Sequence, residues 1–200
     1  MLRTSILVLA AALAASPALA QAPAPASAGL GGPQIPGVCL ISQQEVLGRS
    51  KVGQVVDARL RDLIQQANAE VAAQRDPLEA EAKALSAKRS SMTAAAFAAA
   101  QRSLEARAQS IQALANQRSH ELEATRNQAF SQIATQAQPV VAQVYTAHSC
   151  GLLLDRSVVL GGNLGNDLTP GVIQGLDAKI TTLDVQRVSL PPQQGGAPGQ

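Results

Sequence analysis

Two hundred residues with a formal net charge of +2 carry too small an excess of base for a nucleic-acid partner to be read from the sum. Aromatic residues are 2% of the chain, namely Phe97, Phe130 and Tyr145 with no Trp. Because aromatic side chains supply much of the buried area of an ordinary core, that shortage argues against one large globule and for an elongated molecule.

The chain begins with a basic start, Met1-Leu2-Arg3, an apolar run over 6–15, and Ala18-Leu19-Ala20 ahead of Gln21. These are the parts of a secretory signal peptide, 1–20, with cleavage expected after Ala20 and too short an apolar run to remain as a membrane anchor. Residues 21–36 are mostly Ala, Pro, Ser and Gly without charge, which reads as a disordered leader. Val38-Cys39-Leu40-Ile41-Ser42 is a β-favouring run, expected as a first strand, and 43–48 read as a turn out of it.

Residues 49–148 dominate the chain. They are rich in Ala, Gln, Arg and Glu, and no Gly follows Gly53 within them, a composition that makes long helices and lacks turns. One reversal is expected at Lys88-Arg89-Ser90-Ser91-Met92-Thr93, where the apolar spacing lapses and Thr93 can cap a new helix. Two helices of about 60 and about 80 Å, folded back on each other as a hairpin, follow from the helical rise. The outgoing helix places Val52, Val56, Leu60, Leu63, Ala67, Val71, Gln74, Leu78, Ala82 and Leu85 on one stripe in an eleven-residue period, which implies a nearly straight pairing. On the returning helix the stripe reads Leu104, Ala108, Ile111, Ala115, Leu122, Ala129, Ile133, Val140 and Val144, with Arg118 and Arg126 interrupting it at mid-arm. Pro77 and Pro139 are expected to kink the helices, with a break capped by Asp76 as the alternative at the first site.

After the arm, Leu152-Leu153-Leu154 and Val158-Val159-Leu160 read as two short strands with a bend between them. Thr169 and Pro170 suit the cap and first turn of a helix whose face is Val172, Ile173, Leu176 and Ile180. Residues 181–190 alternate weakly, as an edge strand would, and 191–200 have no means of folding. The fold class is α+β: a small β-sheet body from 37–48 and 149–190, and a long two-helix antiparallel coiled-coil arm from 49–148.

Export to an oxidising compartment would let Cys39 and Cys150, each at one root of the arm, bond to each other; two buried free thiols are the other reading. His148-Ser149-Cys150 is a poor metal site, so no metal or cofactor is expected. His120 and His148 lack the partners of a nucleophilic triad, Asp155 reads as ending a strand and Asp167 as preceding a helix cap, so no enzyme is expected.

The pattern resembles the OmpH/Skp family of periplasmic chaperones. The likeness rests on Val38-Cys39-Leu40-Ile41-Ser42, Ser50-Lys51-Val52-Gly53-Gln54, Leu153-Leu154-Asp155-Arg156-Ser157-Val158-Val159-Leu160, and Asp167-Leu168-Thr169-Pro170 with Val172, Ile173 and Leu176. It covers about 37–190. The arm matches mainly by length, is more Ala-rich and closer to neutral than is usual there, and the Pro-rich tails are extra. The resemblance implies a homotrimer joined through its sheets, whose three arms enclose unfolded outer-membrane β-barrel proteins without ATP. At the arm's tip Lys83, Lys88, Arg89, Arg102 and Arg107 outnumber Glu81 and Glu105, an excess that could attract acidic clients, anionic lipid or lipopolysaccharide; a solvated helix surface explains the same residues. Phe97, Met92 and Leu104 could touch clients or close the tip. An exported coiled-coil scaffold of the cell envelope is the competing class, though a stalk has no need of a body built from both chain ends.

Overall fold

The computed structural model describes residues 30–191; the expected signal peptide, most of the leader and the tail past Pro191 lie outside the described residues. Four helices and a two-stranded sheet make up the fold: β1 (Val38–Ile41), α1 (Gln43–Arg49), α2 (Lys51–Ala87), α3 (Ala94–Ala147), β2 (Leu152–Asp155) and α4 (Thr169–Lys179). β1 and β2 are parallel, in register from Val38 opposite Leu152 to Ile41 opposite Asp155. Parallel strands need a crossover, and here the crossover is all of α1, α2 and α3. The other edge of β1 is met at Leu40, which donates to the Asn166 carbonyl at 3.0 Å and accepts from the Leu168 amide at 2.8 Å.

Three of the expected elements take another form. Residues 43–48 are helix rather than turn, because Ser42 Oγ accepts the Glu45 amide at 3.2 Å and Asp155 Oδ2 accepts the Gln43 amide at 3.2 Å, supplying acceptors to two of the amides in its first turn. Val158-Val159-Leu160 is not a strand: a tight turn at Arg156–Val158 forms instead, closed by Asp155 accepting the Ser157 amide at 2.8 Å. Thr169 lies in the first turn of α4 rather than capping it. Its hydroxyl donates to Asp167 Oδ1 and accepts the Ser42 amide at 2.8 Å, which pins α4 to the end of β1.

Ser50 separates α1 from α2 and caps the latter through the Gly53 amide at 3.2 Å, while Asp177 of α4 accepts the Lys51 amide at 2.7 Å. Gly53 has a steric reason to be glycine. A Cβ there would fall 1.7 Å from the Leu47 carbonyl oxygen, so the close crossing of α1 over α2 admits no side chain.

α2 has 37 residues and α3 has 54, about 55 and about 80 Å of helix. They run antiparallel: Glu81 bonds Arg107 and Glu70 bonds Arg118, equal steps in opposite senses. Both continue through their prolines, Pro77 and Pro139. The tip is a short turn, Arg89–Ser91, after which Thr93 Oγ1 accepts the Ala96 amide at 3.2 Å and starts α3. α3 ends where Ser149 takes a positive φ of 53°. Cys150 then donates to the Tyr145 carbonyl at 3.2 Å and Ser149 to that of Thr146 at 3.0 Å, the paired bonds of a Schellman end. That turn delivers Cys150 to Cys39, with their sulfurs joined and Cα atoms 5.8 Å apart.

The core sits at the root. Val52, Val56 and Leu63 of α2, Ile133 and Val140 of α3, and Val172 and Leu176 of α4 are all buried in one cluster with β1. Farther out the seam thins: beyond Ala67 and before Glu121, the buried apolar residues are Leu78 and Ile111. The α3 seam also differs from the expected stripe. Glu121 and Thr125 are buried, whereas Leu122 is half-buried and Arg126 exposed.

Gly53→Ala tests the crossing. At an open helical site this change adds about 1 kcal/mol of stability through propensity; here overpacking should reverse the sign and cost about 1–3 kcal/mol in urea denaturation. Gly171→Ala, whose Cβ would sit 3.4 Å from Val144 Cγ1, should be far milder, and equal costs at the two sites would contradict the assignment.

Candidate functional site

Two surfaces of the arm carry the candidate chemistry, one at the tip and one at its middle. At the tip Lys83, Lys88 and Arg102 are exposed. Arg89 lies over the Phe97 ring, 4.5 Å from its centroid, so the ring is half covered by a cation rather than presented whole. Arg107 grips Glu81 with its two terminal guanidinium nitrogens, Nη1 and Nη2, and hydrogen bonding from Arg107 is the main reason the Glu81 carboxyl titrates below its usual range. The pair neutralises itself, so the excess of base at the tip falls to Lys83, Lys88, Arg89 and Arg102. Met92 and Leu104 are half-buried. Phe130 and Tyr145 pack against the core at the root.

The middle of the arm holds a cluster that helical periodicity did not reveal. Glu121 is 2% exposed. Its Oε2 accepts from Arg118 Nη1 at 2.9 Å, and its Oε1 accepts from Gln117 Nε2 at 3.1 Å and from the Leu190 amide at 3.4 Å. Glu70 on α2 joins Arg118 at 2.6 Å and Arg187 at 2.9 Å. A buried carboxylate is costly unless paired and hydrogen-bonded, and this one has both kinds of partner. Half of the partners come from 181–191, a segment with no regular structure of its own. The expected edge strand is therefore replaced by an extended strap that lies on the arm instead of the sheet. Arg59 Nε donates to the Val185 carbonyl at 3.1 Å, Thr125 Oγ1 accepts the Val188 amide at 2.8 Å, and Gln117 Nε2 donates to the Leu190 carbonyl at 3.3 Å.

The remaining titratable candidates are structural. Asp155 closes the turn at Arg156–Val158 and receives Gln43, and hydrogen bonds from Ser157 first, then from the Gln43 amide, hold its carboxyl below the usual range. Asp167 accepts the Thr169 amide at 2.9 Å and Arg156 at 3.1 Å. His120 and His148 are exposed. Among the described residues no group of His, Cys, Asp or Glu is arranged to hold a metal ion, and no helix is long and apolar enough to cross a membrane. A groove of about 1080 Å³ at the root, beside α4, is lined by Glu45, Arg156 and Asp167. These three already satisfy one another, Arg156 reaching Glu45 at 2.9 Å.

A paired-helix arm rising from a small base, with both ends of the chain folded into that base, defines the structural class. The OmpH-like outer membrane protein family matches residues 37–176. The chain belongs to that family. A crystal structure of an OmpH-like protein from Caulobacter crescentus CB15, described provisionally as an outer membrane chaperone, is similar at a TM-score of 0.71 and 41% identity, over 81% of this chain and 96% of that one. The comparison with curated proteins finds no match. Membership supports a chaperone role.

Glu70 gives the mid-arm cluster a pH signature. The Arg118 hydrogen bond, and after it that of Arg187, lower its pKa. A carboxylate with a lower pKa folded than unfolded contributes stability above its unfolded value and loses it as pH falls through the folded one. The melting temperature should therefore drop as pH goes below about 4.3, the ordinary Glu value. Glu70→Gln should lower it at pH 7 and flatten the acid slope; unchanged slopes in thermal melts would place the acid loss elsewhere.

Proposed function

We propose that the chain is an ATP-independent holdase of the periplasm, which encloses unfolded outer-membrane β-barrel proteins between helical arms and keeps them from aggregating. The observation that carries this reading is the long arm whose apolar core lies at its root and thins toward its tip, in a chain of the OmpH-like family. Unfolded barrel chains expose alternating apolar side chains and unpaired strand edges. A holder that releases them without fuel needs many weak contacts over a wide surface. An arm rich in Ala and poor in aromatics offers that surface.

Enclosure needs more than one arm, and the base supplies a route to it. A two-stranded sheet is marginal by itself. Among the described residues β2 pairs on one edge alone, and Leu152, Val158 and Leu160 stand exposed close to it in sequence. In this reading three copies join along that edge, and the signal peptide takes each to the periplasm, where the bond between Cys39 and Cys150 is stable. Lys83, Lys88, Arg89 and Arg102 attract acidic stretches of the client, or anionic lipid or lipopolysaccharide near the membrane. Arg107 stiffens the tip through Glu81, and Phe97 touches the client once Arg89 moves aside.

One experiment tests the reading. Denatured barrel protein is diluted into the mature chain, and the mixture is run on gel filtration with light scattering. A soluble complex containing three chains is expected. A monomeric chain beside an aggregated client would contradict it. Replacing Lys88, Arg89 and Arg102 with Gln should weaken capture of an acidic client at low salt and matter less as salt screens the charges.

A further inference from the structure

The strap 181–191 lies beyond the stretch over which the family matches, and its place on the arm is more specific than a loose tail requires. Over 183–187 the strap alternates as an extended chain does, with Leu183, Val185 and Arg187 toward the helices and Asp184 and Gln186 toward water; the phase then shifts by one, Val188 and Leu190 being half-buried and Ser189 exposed. Val185 is buried among the core residues at the arm's proximal end. What the arm recognises, however, is mainly backbone. Arg59 addresses the Val185 carbonyl, Thr125 the Val188 amide, Glu121 the Leu190 amide and Gln117 the Leu190 carbonyl. These four contacts read no side chain, so any extended chain can make them; the strap adds a side-chain contact of its own, the ion pair of Arg187 with Glu70 at 2.9 Å. A cleft of about 360 Å³ remains between strap and arm, lined by Arg59, Gln66, Arg118 and Ser189 among others. That cleft is open to solvent and its lining is mostly polar.

We propose that the mid-arm groove, built by Arg59, Gln117, Glu121 and Thr125, is a binding site for the backbone of an extended polypeptide with alternating apolar side chains, which the strap 181–191 fills in cis. The physical case is that of strand addition, in which main-chain hydrogen bonds give affinity and pockets for alternate side chains add selectivity, with helix side chains standing in for a neighbouring strand. Tethering through α4 keeps the strap at a high local concentration, about millimolar for a short link. A competitor therefore enters only when it is held nearby, as a chain enclosed by the arms is. The strap acts as a stand-in for the client: it covers a sticky groove on the empty molecule and yields it on loading. The proposal rests on the holdase reading for the identity of the natural competitor but not for the existence of the groove.

The test uses the full mature chain. Val185→Asp with Val188→Pro removes the buried side chain and the amide donor, and should release the strap while the arm stays helical. A fluorescent peptide of the 181–190 sequence should then bind saturably, at least about tenfold tighter than to the unaltered chain, where the tethered copy competes. A second peptide of otherwise unrelated sequence, with the same alternation and a basic residue at the place of Arg187, should bind comparably, and adding Thr125→Val should weaken both. Absence of peptide binding to a released variant of normal helix content overturns the proposal, as does binding of the strap sequence alone, which would make the groove a private clasp. The unaltered chain supplies a second measurement by hydrogen exchange: the Val188 and Leu190 amides should lose protection when an unfolded barrel chain is held. If light scattering shows the client held while those amides stay protected, the groove is not used and the holdase reading survives. If nothing is held, that reading fails and the peptide titrations decide the groove.

Discussion

The union of the two chain ends at the base of the arm is the constraint on which the rest depends. β1 is bonded on one edge to β2 and on the other to the backbone around Asn166 and Leu168, so a strand from before the arm is clamped between two stretches from after it. Cys39 and Cys150 close a separation of 111 residues at the same place, which the chain-entropy picture values at about 4–5 kcal/mol. α4 completes the clamp, with Thr169 on Ser42, Asp177 on Lys51, and Val172 and Leu176 buried against α2 and α3. Without this root the arm would be two long helices sharing a narrow apolar stripe, and such stripes bury too little to hold by themselves.

From the root outward the arm changes character. Its first third is a true core; its middle is held by the ionic cluster of Glu70, Arg118, Glu121 and Arg187 and by the strap; its last third has Leu78 and Ile111, the Glu81 and Arg107 pair, and the Arg89 contact on Phe97. Packing therefore weakens stepwise with distance from the base. In the proposed holdase this gradient would leave the end that splays as the end with least packing to lose. The strap gives the middle of the arm a further support, bonding Arg59 of α2 and Gln117, Glu121 and Thr125 of α3.

Much of this was legible in the residues. The Gly-free run, the reversal before Thr93, and β1, β2 and α4 of the base follow from composition and spacing, whereas the strands expected at 158–160 and 181–190 do not form; the outgoing stripe from Val52 to Ala67 is buried as its period predicts. Two things were hidden for physical reasons. The helix α1 depends on caps that come from Asp155, far along the chain, so the local sequence of 43–48 looks like a turn. Glu121 and Thr125 in the α3 seam leave no apolar period, and the partners that help to make these two buriable arrive from 187–190. Periodicity can rank faces of one helix, but it has no view of a segment that returns from elsewhere to cover a polar face. The tip was read by charge alone, which could not reveal that Arg107 is spent on Glu81.

Amide hydrogen exchange along the two arm helices tests the central claim most directly. If the arm is held at its root and nowhere else with comparable strength, protection should be greatest at 52–63 and 129–140, intermediate around 67 and 121, and least at 82–108. Uniform protection along the arm, or a tip more protected than the root, would contradict the account.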